Sequence, residues 1–458
     1  MTQQAALVKV CETGNSGERE TGKSGKTSPT LLLSLRLPFL RLSGKWGEWR
    51  AFLLLGSISG FLLLAGCSPG RNSKNTVEPK NMKNTASAPD KQTSTLFLSG
   101  DVMTGRGIDQ LFPTSVDPQL HESYVKNAER YVQLGIRENG NIDRPVTYDY
   151  IWGDALSVWK SVDPDFRFIN LETSITSSDD FWQGKGIHYR MHPENVKCLT
   201  TASIDACVLA NNHVLDWGVE GLRETLSTLD NAGIAYTGAG RNSRQALNPM
   251  VFPVDDSSNM LIFSYGLPTS GIPQSWAAGE EHPGVNRLPD LSAASLQQVQ
   301  ADIAKHATEN DLVICSVHWG GNWGYAIPEE QRRFAKRLIE EAGVDLLHGH
   351  SSHHPMGMEV YRERLILYGC GDLLNDYEGI GGHQEYRPEL SLMYFPVLDK
   401  NSGALLELRM APMEIKQFQL NRATDWQSEW LAERLTREGE TLGTTVKKGN
   451  NGFLLLEW

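Results

Sequence analysis

From residue 95 onward, short apolar runs alternate with segments of helical periodicity, and most of the runs end on a polar motif. The runs are "TLFLSG" (95–100), "FRFIN" (166–170), "DACVLA" (205–210), "MLIFSYG" (260–266), "DLVICSV" (311–317), "VDLLHG" (344–349) and "RLILYG" (364–369). Each has the length of a strand buried on both faces, too short for a buried helix. Between them, Val219, Leu222, Leu226 and Leu229 recur at helical spacing and Gly233 supplies a stop. A second helix is expected from Pro328 through Phe334, Leu338 and Ala342 to Gly343, and a third over about 292–306 with Leu296, Val299 and Ile303 on one face. After strands at 389–399 and 404–415 come a helix at 424–438 and a last apolar strand, "GFLLLEW". Strand–helix alternation of this kind specifies an α/β domain.

The polar motifs carry the chemistry. Asp101 follows the first run, Glu172 the second, Asn212 and His213 the third, His318 the fifth, and His350 and His353 the sixth. In open α/β sheets the loops beyond the carboxyl ends of the strands converge on one rim, where ligands bind. Five separate segments therefore bring carboxylate, amide oxygen and imidazole to one place. That donor set suits zinc, manganese or iron. Glu172 is expected to bridge two ions, with histidines and Asn212 filling each side; such a pair clamps a phosphoryl group for in-line attack. The dense stretch "LLHGHSSHHP" (346–355) is read as supplying two ligands, His350 and His353.

Taken singly, each residue has an ordinary reading. A strand-end Asp caps turns, "NNH" is a turn, and His318 beside Trp319 packs in a core. Coincidence in chain order favours the site. His348 lies inside the strand pattern and His354 precedes Pro355, so both are read as structural.

The motifs "SGDVMTGRG", "NLETSIT", "LANNHVLDWGVEGLRETL", "SVHWGGNWGY", "GHSSHH" and "LILYGCGDLLNDY" together resemble the CapA family of capsule or poly-γ-glutamate biosynthesis proteins, over roughly residues 95–375. That family is similar to the calcineurin-like metallophosphoesterases, so the resemblance implies a layered αββα sandwich. It implies one or two divalent ions (Mn, Zn or Fe) held by Asp101, Glu172, Asn212, His318, His350 and His353, with His213 as acid or orienting group. Three features depart from the phosphoesterase pattern: Met103 stands where that pattern has a second first-motif ligand, Glu172 replaces Asp, and the last pair is spaced His-x-x-His. Where the family usually has "SLGNF", this chain puts Cys370 and Asp372 near the rim. Arg106 is expected to hold a phosphate or carboxylate bidentately, its competing role being an Asp-paired structural arginine.

The amino-terminal part differs. Residues 51–66, "AFLLLGSISGFLLLAG", form an uncharged apolar run behind Lys45 and Arg50, shorter than a membrane span, and end in "LAGC". That order resembles the bacterial lipobox, with Cys67 lipidated. The long stretch before it, with no methionine between Met1 and Met82, reads as an upstream extension of the true start. Within it "GERETGKS" (17–24) matches a phosphate-loop pattern but lacks the strand and helix that the loop needs. Residues 1–66 are thus read as leader and signal, 67–94 as a flexible tether, 95–420 as the main domain, and 421–458 as a helix and strand completing it. The net charge of −12 disfavours nucleic acid. Cys198, Cys207, Cys315 and Cys370 show no CxxC spacing and read as buried, although an oxidising compartment permits a Cys198–Cys207 bridge.

A purely structural lipoprotein would leave the strand-end cluster without a role, and two further functional expectations stand beside it. One is a metal-dependent hydrolase of a phosphoester or related anionic substrate, lipid-anchored in the bacterial cell envelope outside the cytoplasm. The other is a non-catalytic accessory component of a capsule-synthesis complex whose site holds an anionic polymer.

Overall fold

The computed structural model describes residues 92–458. The leader, "GERETGKS", Cys67 and all but the end of the tether lie outside the described residues. Along the chain the elements used below are β1 (Thr93–Val102), α1 (Glu129–Asn139), α2 (Ala155–Val162), β2 (Phe166–Leu171), β3 (Ala206–Val208), α3 (Gly218–Ala232), β4 (Ala235–Thr237), β5 (Met250–Pro253) and β6 (Asn259–Gly266). There follow α4 (Ala293–Ala304), β7 (Leu312–His318), α5 (Glu329–Ala342), β8 (Leu346–His350), β9 (Met358–Tyr361), β10 (Arg364–Leu367) and β11 (Asp372–Leu374). The chain ends with β12 (Leu390–Asp399), β13 (Leu405–Lys416), β14 (Gln419–Arg422), α6 (Asp425–Gly439), β15 (Thr445–Lys448) and β16 (Leu454–Glu457).

Two sheets dominate. The larger, of 10 strands, runs β15-β16-β13-β12-β1-β2-β3-β4, with β11 beside β1 and β14 beside β13. The smaller, of 6 strands, runs β9-β10-β8-β7-β6-β5. Strands β1 to β4 are mutually parallel, as are β6, β7, β8 and β10. Side chains alternate across each strand, so the apolar runs serve two cores. Leu96, Leu98 and Phe168 of the large sheet meet Ile262, Ile314 and Leu346 of the small one. The intervening Phe97 and Ile169 pack outward on Trp159 of α2 and Leu222 and Leu226 of α3. Phe263, Cys315 and Leu347 pack on Val299 of α4 and Phe334 and Leu338 of α5. The result is a four-layer αββα sandwich, as the family resemblance implied.

The expected helices end where their glycines stand: Gly233 and Gly343 adopt φ of 69° and 71°, the left-handed cap that glycine tolerates best. Helix α6 opens with a capping box between Thr424 and Gln427, and β16 pairs antiparallel with β13. The four cysteines Cys198, Cys207, Cys315 and Cys370 are buried and free, so Cys198 and Cys207 are not bridged. Among the described residues no helix is long and apolar enough to cross a membrane.

Candidate metal centre

Register brings the motifs together. At the carboxyl end of β1, Asp101 lies beside Asn170 of β2 and Asp372 of β11. At the same end of the small sheet, His318 of β7 lies directly beside His350 of β8. The two strand ends face one another across the sandwich: Asp101 Oδ1 is 3.9 Å from His350 Nδ1.

Asp101, His318 and His350 each present a ligand atom within 4.8 Å of the others, and so do Asp101, His353 and Asp372. Asp101 is the carboxylate common to both groups, whereas the sequence reading gave the bridge to Glu172. Glu172 is nevertheless at the same centre: it is 3% exposed, and its Oε1 is 3.7 Å from His213 Nε2. Burial, and then the Asp101 carboxylate, push the Glu172 carboxyl well above its usual range. Burial also pushes Asp101 up to about 6.

Each ligand is held by a second group. Asn170 Nδ2 donates to Asp101 Oδ1 at 2.7 Å, and Asn211 Nδ2 donates to Asn170 Oδ1 at 3.0 Å. His353 Nδ1 lies 2.9 Å from Asp372 Oδ1; burial lowers this imidazole's pKa, but the carboxylate outweighs burial and the net shift is upward. Asn212 is placed beside His318, its Oδ1 3.0 Å from His318 Nε2. Burial lowers the pKa of His213, His318 and His350 alike, which favours the neutral imidazole that a metal needs.

The residues fit a divalent cation. Asp101 Oδ2 and Glu172 Oε2 are buried and receive no donor from any other group; the two carboxyls lie against each other, so only a shared proton or a cation satisfies them. His318 Nε2 faces an amide oxygen that can only accept, which puts that ring's proton on Nε2. Its Nδ1 then turns a lone pair toward His350 Nδ1, 2.7 Å away. A cation relieves both features.

His213 stands slightly apart. Its Nδ1 is 2.6 Å from Asp216 Oδ2, and its ring stacks on Tyr189 at 3.9 Å between centroids. Lys185 reaches in from a loop between Gly184 and Gly186 and donates to the Asp216 carboxylate and the Asn212 carbonyl. Arg106, by contrast, is the Asp-paired arginine: it is 3% exposed, binds both oxygens of Asp376, and is 2.9 Å from Glu122 Oε1. Its guanidinium also lies 4.0 Å from the Tyr131 ring centroid. Its bidentate partner is thus a carboxylate of its own chain. Asp372, Asp216 and Lys185 had no assigned role in the sequence reading. Signals for them existed: Asp372 follows a strand as Asp101 does, Asp216 lies three residues after His213, and Lys185 is flanked by glycines.

The profile of the bacterial capsule synthesis protein PGA_cap matches residues 95–377, which contain every residue of both ligand groups. A protein of Mycobacterium tuberculosis described as a "probable polyglutamine synthesis accessory protein" is 43% identical over 353 residues, covering 77% of this chain and 93% of that one. The capsule biosynthesis protein CapA of Bacillus anthracis is 24% identical, over 62% of this chain and 60% of its own length. The PGA biosynthesis protein CapA of Bacillus subtilis is 29% identical, over 48% of this chain and 57% of its own. With the fold, the strand-end candidate ligands and the profile match in agreement, the chain belongs to the bacterial capsule synthesis protein PGA_cap family.

Proposed function

We propose that this protein is a lipid-anchored, metal-dependent hydrolase acting on a phosphoester or related anionic substrate within capsule or poly-γ-glutamate biosynthesis. One observation carries the reading: two candidate ligand groups, buried except for the partly exposed His353, share Asp101, and the adjoining Asp101 and Glu172 carboxyls receive no donor from another group. When bound, a divalent cation supplies Lewis-acid stabilisation of a developing negative charge and makes water a stronger acid. Asp101, His318 and His350 would hold one cation, and Asp101, His353 and Asp372 a second, with Glu172 facing the space between its neighbours. Imidazole and carboxylate together favour Zn, Mn or Fe over Mg.

The remaining residues handle the substrate. With its Nδ1 proton directed at Asp216, His213 turns a bare Nε2 toward Glu172 and the centre; a proton taken up there from the Glu172 carboxyl or from the attacking water is the one it would then pass to a leaving oxygen. Lys185 has three N–H donors. Two go to Asp216 and the Asn212 carbonyl; His213 Nδ1, although 3.1 Å away, carries its own proton toward Asp216 and cannot accept the third. The ammonium also lies 5.4 Å from the Trp276 ring centroid, and its third N–H is the one available for an anionic oxygen. Metal content of purified protein, prepared without chelator, tests the reading directly: less than about one equivalent of transition metal rejects it. With metal present, Glu172→Ala abolishes turnover of an activated phosphodiester, and unchanged turnover would assign the activity to a contaminant.

The description of the M. tuberculosis relative as an accessory protein favours a second reading, in which the site holds polymer carboxylates without turnover. Metal-loaded protein that binds poly-γ-glutamate but hydrolyses no ester would select it. In either case Cys67 anchors the domain to the envelope; Cys67→Ala is expected to move the protein from the membrane fraction to the soluble one.

A further inference from the structure

We infer that His348 and Ser316, which belong to neither ligand group, are positioning residues that fix which ring nitrogen of His350 carries the proton, and so keep its Nδ1 lone pair turned into the metal centre. The inference rests on the metal-centre reading and concerns a histidine that the sequence pattern assigned to the core.

The proton positions follow one from another. His348 is 0% exposed, between the two sheets, and its Nε2 lies 2.7 Å from the backbone carbonyl of Ser99 on β1. A carbonyl only accepts, so that nitrogen carries a proton. The other partner of His348 is a hydroxyl: Nδ1 lies 3.0 Å from Ser316 Oγ. With a carbonyl and a hydroxyl for partners in an apolar layer, the ring stays neutral and Nδ1 must accept. The Ser316 hydroxyl therefore gives its only proton to His348. Its oxygen lies 2.8 Å from His350 Nε2 and can act there only as an acceptor. His350 is consequently protonated on Nε2, and its Nδ1, 3.9 Å from Asp101 and 2.7 Å from His318 Nδ1, is bare.

A single carbonyl on the large sheet thus sets the tautomer of a ligand on the small one through two side chains. Partners that orient a metal-bound imidazole typically affect affinity by about 10–100-fold when removed. Ordinary packing would not dictate a tautomer.

Ring-nitrogen NMR of histidine-labelled, metal-free protein, with His350 assigned by its loss in His350→Gln, reads the tautomer directly, and titration calorimetry with Zn²⁺ or Mn²⁺ reads affinity. Wild type should show His350 protonated on Nε2. In Ser316→Ala the preference should disappear and affinity fall by about 10–100-fold. In His348→Phe, which preserves bulk, the Ser316 hydroxyl loses its acceptor and turns its proton toward His350, so the tautomer should invert. If His348→Phe does not fold, Ser316→Ala still decides. An unchanged Nε2-protonated His350 in folded Ser316→Ala overturns the inference. A changed tautomer with unchanged affinity upholds the relay and counts instead against the metal centre.

Discussion

Asp101 and Lys185 carry different burdens at the same rim. Because Asp101 belongs to both ligand groups, its removal and that of a one-group ligand should differ in stoichiometry. Asp101→Ala is expected to lose all tightly bound metal, while His353→Ala keeps the cation held with His318 and His350; elemental analysis of the two variants checks this. Equal losses would mean that the groups do not share a ligand. Lys185 touches no ligand atom of either group, so Lys185→Met should leave metal content intact. It removes a charged donor, an interaction of about 1.5–3 kcal/mol, which corresponds to about a 10–100-fold fall in kcat/KM for an anionic ester. Steady-state kinetics beside metal analysis tests the pair of outcomes, and a parallel loss of metal would recast Lys185 as structural.

At the level of elements, the centre depends on how closely β8 approaches β10. Gly349 lies between His348 and His350, and a Cβ there would fall 2.5 Å from both the Leu367 and the Tyr368 carbonyl oxygens. Gly349→Ala must push the strands apart, costing about 1–3 kcal/mol and displacing His350. Gly343, at the end of α5, meets nothing within 4 Å, so Gly343→Ala should cost only the left-handed conformation, about 1–2 kcal/mol. Thermal melts with metal titration should show both variants destabilised but only Gly349→Ala weakened in binding. The strands around the centre were legible because parallel strands buried on both faces read as apolar runs, here ending in ligand-type side chains. Between β1 and β2 the sequence offered no such signal. Helix α1 carries Gly135 in its middle, against the Phe418 ring, where a Cβ would come within 2.6 Å; packing from distant β-structure overrides a weak local propensity. Strands β5 and β9 are antiparallel edges: the apolar run of β5 stands between Pro249 and Pro253, which argue against a strand, and β9 is broken by Glu359. Asp101, His318, His350 and His353 were readable as candidate ligands, and the structure brings them together, whereas the Asp372 and Asp216 partnerships depend on register and loop return that one sequence does not display.

At the scale of the molecule, each sheet supplies part of the centre: Asp101 and Asp372 come from the large sheet, and His318 and His350 from the small one. A cation held between them links the sheets, and a ligand that binds only the folded state stabilises it by RT ln(1 + [L]/Kd), about 2.7 kcal/mol for each site at a hundredfold excess over Kd. Without the cation, the buried Asp101 and Glu172 carboxyls and the facing imidazoles must be accommodated as they are, a conflict that burial makes costly. Chelation is therefore expected to lower the melting temperature by several degrees, with recovery on adding back Zn²⁺ or Mn²⁺. Asp101→Ala should melt at the same temperature with and without chelator, since it holds no cation to lose. Calorimetric scans of both proteins in both conditions make the comparison, and a chelator effect of equal size in Asp101→Ala would place the stabilising metal somewhere other than the junction of the two sheets.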